Sequence, residues 1–138
     1  MKILMIALGM VAVAALAQAP TPAKPVGTMS QLMVDVIFPS SNAIFYVREG
    51  PQNTKEWMEL EFNAFVLGEV ANLLMTPQRA YDADVWMKDA KLLLDVGAAA
   101  YKAAKARDVK PIQALNDALY EACQSCHEHY RPGYRRRP

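Results

Sequence analysis

Cys123-Gln124-Ser125-Cys126-His127, continuing as Glu128-His129-Tyr130-Arg131, is the stretch from which the rest of the chain can be read. Two cysteines three apart, with a histidine directly after the second, form the arrangement for covalent attachment of a c-type haem. Each thiol adds across one haem vinyl group to make a thioether. On a helix, positions i and i+3 point the same way, so both sulfurs can reach one edge of one porphyrin. His127 follows Cys123 by four residues, which places its imidazole to act as proximal iron ligand. Other readings of the pair fare less well. A redox C-x-x-C normally accompanies a βαβ pattern, and none is visible. A zinc site needs four ligands, and the chain has only these two cysteines. A structural disulfide would leave His127 without a role.

Upstream, the chain opens as a secretory signal. Lys2 is a short basic start, Ile3 to Leu16 is an uncharged apolar run, and Ala15-Leu16-Ala17 is a small-x-small cleavage pattern. Ala17-Gln18-Ala19 is a second candidate. The run is short for a membrane span of about 20 residues, so residues 1–17 are expected to be removed. Export to the periplasm matches c-haem attachment, which occurs outside the bacterial cytoplasm. Residues 18–27 hold three prolines and a glycine and read as a disordered leader.

The 121 residues left by cleavage of 17 from 138 make one domain. Of 15 basic residues 14 remain, against 14 acidic ones. That balance gives no reason to expect nucleic-acid binding, or stable membrane insertion once the signal is removed. Residues 132–138 form a basic tail with Arg135, Arg136 and Arg137, read as solvated rather than as a docking site.

Between leader and tail there is no β-alternation, and four helical segments are expected. The first starts with Thr28 as N-cap and carries Met29, Leu32, Met33, Val36 and Ile37 at helical spacing. Pro39 should kink or break it. Asn53 caps the second, with Glu56 three residues on, and Trp57, Leu60, Ala64, Leu67, Ala71 and Leu74 make its stripe. The third spans about 84–107, with Val85, Leu92, Val96, Ala99 and Ala103 on one face. Trp86, Ala90, Leu93, Gly97 and Ala100 lie on the next, small enough to admit a neighbouring helix or a flat ring. The fourth starts near Pro111. Ile112, Leu115, Leu119 and Ala122 face the core, and Tyr120, Cys123, His127 and Tyr130 run along the stripe beside them. Four amphipathic helices with short connections predict an all-α, antiparallel four-helix bundle.

The motif near the C-terminus, followed by Tyr130-Arg131 on the last helix, resembles the class II cytochromes c: cytochrome c′ and its low-spin relatives. The likeness spans residues 28–131. It implies a four-helix bundle with one covalent haem c, thioethers at Cys123 and Cys126, and His127 as proximal ligand. It also implies haem-binding roles for Tyr130 and Arg131. In that family the first helix faces the sixth iron position. Low-spin members place a methionine there, and cytochrome c′ places an apolar residue and leaves the iron open. Met33 is the candidate distal ligand, with Met29 as fallback. The family often has an arginine where Met29 stands. A thioether is a soft ligand, and His/Met ligation raises the potential, although methionine is also a common core filler.

These readings predict a periplasmic, non-enzymatic carrier of single electrons that meets other redox proteins, with a homodimer left open. The alternative is a five-coordinate protein binding nitric oxide or carbon monoxide. A peroxidase-like enzyme would want a polar distal pocket, which Leu32, Met33 and Val36 do not offer. No nucleophile–base pair or phosphate loop is seen. His129 is expected to be solvated, and Trp57 and Trp86 to be packing anchors.

Overall fold

Helix formation begins at Thr28, whose extended backbone (φ −69°, ψ 164°) leaves its hydroxyl free to accept the Gln31 N–H at 3.1 Å. Gln31 Oε1 accepts the Thr28 N–H at 2.9 Å, completing a reciprocal cap. The computed structural model describes residues 24–131. The segment read as a signal, 1–17, most of the leader and the tail 132–138 lie outside those residues.

From this cap the chain runs as α1 (Met29–Gln31), a π-helical segment (Leu32–Ile37) and α2 (Phe38–Phe45). Of the expected kink or break at Pro39, the break does not occur: the helical backbone runs on through it. Proline has no N–H to give to the preceding turn, and the helix accommodates it by widening just upstream. There the Phe38 N–H reaches the Met33 carbonyl, five residues back. The buried Ser41 hydroxyl donates to the Ile37 carbonyl.

α3 (Thr54–Leu74) starts at Asn53, whose side chain accepts the Glu56 N–H at 3.0 Å. The Glu56 carboxylate reaches back to the Gln52 N–H at 2.7 Å, one residue further than the usual reciprocal cap. Leu60, Ala64, Leu67, Ala71 and Leu74 are buried as their spacing predicts, and Trp57 is half-buried. α4 (Val85–Lys105) buries Trp86, Ala90, Leu93, Gly97 and Ala100. Its other expected face divides: Val96 and Ala103 are buried, whereas Ala99 is exposed and Val85 and Leu92 are 38% and 40% exposed. The two helices touch through backbone. A Cβ on Gly97 would stand 2.5 Å from the Gly68 nitrogen.

α4 ends with Arg107 in the left-handed region (φ 53°). The Asp108 N–H bonds the Ala103 carbonyl and the Arg107 N–H bonds the Ala104 carbonyl, both at 3.0 Å, a Schellman ending without its usual glycine. The expected single fourth helix is two pieces, α5 (Val109–Gln113) and α6 (Asn116–Tyr130). Asp108 caps α5, with Pro111 inside its first turn. The turn between the pieces tightens, with the Leu115 N–H on the Ile112 carbonyl. Ile112 and Leu119 are fully buried on either side of it.

The described residues contain no strand, and their four helical segments share one core drawn from all of them. None of these helices is long and apolar enough to cross a membrane.

Candidate functional site

α6 places the motif. Ala122 and Leu119 bury the helix against the core, and one residue round from them Cys123, Cys126 and His127 are half-buried. All three line a cavity of about 370 Å³. Its walls are mostly apolar: Ile37, Leu74, Ala90, Leu93 and Ala122, with Val34 and Phe38 at the mouth, 62% and 63% exposed.

Met33, on the π segment, lines this cavity with Arg131. A second cavity of about 260 Å³ adjoins it and shares Met33, Val34, Cys126, His127 and Arg131. Met29 and Tyr130 line only the second. All seven candidate residues thus line one cavity or the other, and Met33 alone of the two methionines reaches both. Tyr120, expected on the same stripe, is 42% exposed and lines neither.

Burial acts on the candidate groups in one direction, toward the neutral form. It pushes the Cys123 thiol up. It pushes Cys126 up to about 11, helped by the negative charges of Asp89 and of Cys123 itself. It pulls His127 down, and the Arg131 charge pulls the same way. Near neutral pH the cavity therefore presents two thiols and an uncharged imidazole, the form that binds metal.

Three features escaped the sequence reading. Asp89 of α4 is 4% exposed and lines the larger cavity. Its Oδ1 accepts the Ser125 hydroxyl at 2.7 Å, and its Oδ2 lies 2.8 Å from His129 Nδ1. His129, expected to be solvated, is half exposed and paired with this buried carboxylate. An apolar-face helix gave no sign that an aspartate one residue from Ala90 would point inward; only the placement of α6 supplies its partners. Second, Asp82 and not Asp84 supports the start of α4, accepting the Asp84 and Trp86 N–H groups at 2.9 and 3.1 Å. It also accepts the Tyr130 hydroxyl. Third, Tyr81, Trp86 and Tyr130 form an aromatic cluster, with Trp86 and Tyr130 edge-on at 4.9 Å. Trp86 is 2% exposed and its Nε1 donates to the Leu74 carbonyl at 2.6 Å, a packing anchor with its polar atom satisfied.

Comparison with protein-family models, with curated proteins and with solved structures finds no match.

Proposed function

We propose that this chain is an exported c-type haem protein that carries single electrons, built as an antiparallel four-helix bundle resembling the class II cytochromes c. The observation that carries the reading is the convergence of Cys123, Cys126 and His127 on one apolar cavity, with Met33 of the first helical segment facing into it. Three tests of fit support it. The thiols are spaced one helical turn apart, as two attachments to one flat ring require. Burial favours the neutral imidazole of His127, the form that ligates iron. The cavity walls are apolar, as a porphyrin face demands.

When bound, the haem supplies an iron that cycles between Fe(II) and Fe(III). The chain's own residues do the rest. Cys123 and Cys126 tether, His127 offers its imidazole as proximal ligand, and Met33 offers a thioether on the distal side. Tyr130 and Arg131 close the second cavity, where a guanidinium suits acidic ring substituents. The periplasm is the compartment in which this attachment takes place, and the partners are other redox proteins. The deciding experiment is intact-mass analysis and a visible spectrum of the protein matured in a cytochrome c-competent host. The mass of one haem should survive denaturation and acidic extraction, and Cys126→Ala should weaken or abolish its retention. Full haem retention in a variant lacking both cysteines would sink the reading.

A second reading rests on a specific observation: Val34, Ile37 and Phe38 crowd the cavity beside Met33. Were one of these apolar side chains over the iron, the protein would be a five-coordinate binder of nitric oxide or carbon monoxide. The oxidised spectrum separates the two, low-spin for methionine ligation and high-spin for an open site.

A further inference from the structure

Beside the motif, α4 and α6 bury the small side chains of Ala90 and Ala122; the bulky contact between these helices, Trp86 against Tyr130, lies at the last turn of α6. Apolar contact is non-directional, so alanines at a seam do little to fix how a helix is rotated about its axis. At this point Asp89 reaches across from α4. Its two oxygens engage Ser125 and His129, four residues apart on one edge of α6. These two partners bracket Cys126 and His127 in the chain. A carboxylate buried to this degree is held at such a place only by hydrogen bonds, and hydrogen bonds are directional.

We propose that Asp89 is a positioning residue: it sets the rotation of α6 on α4, so that Cys123, Cys126 and His127 present their side chains to the cavity. This rests on the haem reading above and adds to it a residue outside the attachment motif. Asp89, itself on the cavity wall, holds the attachment turn at Ser125 and His129, while Cys123, Cys126 and His127 line the same cavity. Each α-helical residue turns the axis by about 100°, so modest freedom in α6 would move both sulfurs and the imidazole together. The Tyr130–Asp82 bond holds only the last turn, beyond the motif.

The test compares wild type, Asp89→Ala, Asp89→Asn and His129→Ala, all matured with haem. The readouts are intact mass, oxidised visible spectrum, reduction potential and thermal midpoint. Asp89→Ala removes both bonds. It should lower the fraction of chains with two thioethers several-fold and turn the wild-type spectrum into a mixture of ligation states. Asp89→Asn should restore attachment and spectrum, because its amide can accept from Ser125 and donate to a neutral His129. Should Asp89→Ala fail to fold, His129→Ala keeps the question open to refutation. His129 is half exposed, and its loss removes one bond without hollowing the core, so the spectral change should appear in smaller degree. If Asp89→Ala is merely less heat-stable, with wild-type mass, spectrum and potential, the positioning role is overturned. It is equally overturned if Asp89→Asn is as defective as Asp89→Ala, or if His129→Ala is spectrally silent. A wild-type protein without covalent haem would instead overturn the proposed function, and this role with it.

Discussion

Met33 and Met29 sit one turn apart, and only their surroundings tell them apart. Met33 lines both cavities beside His127, whereas Met29 lines the outer one alone. With haem bound, Met33→Ala should shift the oxidised iron toward high spin, speed carbon monoxide binding and lower the potential, read by absorption and redox titration. Met29→Ala should leave the spectrum unchanged and cost at most about 2–3 kcal/mol of packing. An unchanged spectrum in Met33→Ala would move the balance to the gas-binding reading. Asp82 offers a second test on single groups. Hydrogen bonds from Tyr130 and then from the Asp84 and Trp86 backbone hold its carboxyl below the ordinary value. Burial, and then the bond to Asp82, pushes Tyr130 up to about 12. The signs follow from linkage. The depressed Asp82 contributes stability present above the unfolded value of 3.8 and lost as pH falls below it. The raised Tyr130 contributes stability present below 10.0 and lost as pH rises toward about 12. The difference in thermal midpoint between wild type and Asp82→Asn should therefore be widest between these limits and shrink at both ends.

Elements show where local chemistry decides and where it yields. The caps at Thr28, Asn53 and Asp108 lie where side-chain hydrogen bonding puts them. Pro39 was expected to kink or break a helix; the helical backbone runs through it, with a π segment just upstream. That segment carries Met33, so the accommodation also sets which side chain faces the cavity. The stop after α4 is a case of conflict. Arg107 holds a left-handed conformation that glycine adopts more easily. Arg107→Gly should raise stability by up to about 1 kcal/mol, measured by denaturant unfolding. Loss of stability would mean that the Arg107 side chain contributes more than its backbone costs. Gly97 is the opposite case. Its missing Cβ lets α4 lie on α3, and alanine there would meet backbone that cannot swing aside. Gly97→Ala should cost about 1–3 kcal/mol or more, whereas Gly68→Ala, with 3.6 Å of clearance, should be far milder.

At the scale of the molecule, the core and the cavity compete for the same side chains. Leu74, Ala90, Leu93 and Ala122 belong to the core and also wall the cavity. A ligand that fills it binds the folded chain and not the unfolded one, and so stabilises the fold. Under the proposed function, haem-free protein should unfold at lower temperature and with less cooperativity than the holoprotein, by calorimetry or circular dichroism. Coincident transitions for the two forms would contradict the shared core.

The sequence by itself determined four helical segments, the caps at Thr28 and Asn53, most of the buried faces and the spacing of Cys123, Cys126 and His127, because these depend on periodicity and on bonds within a few residues. It also singled out Met33. Tertiary structure decided the matters that depend on neighbours distant in sequence. The approach of α3 and α4 left Val85 and Leu92 at the edge. The placement of α6 joined Asp89, unremarked in the sequence, to His129, expected to be solvated, across 40 positions, with the carboxylate buried and the imidazole half exposed. Asp82 found Tyr130 across 48 positions. A hydrogen bond of that reach leaves no periodic trace along the chain; it exists only once apolar burial has brought the helices together.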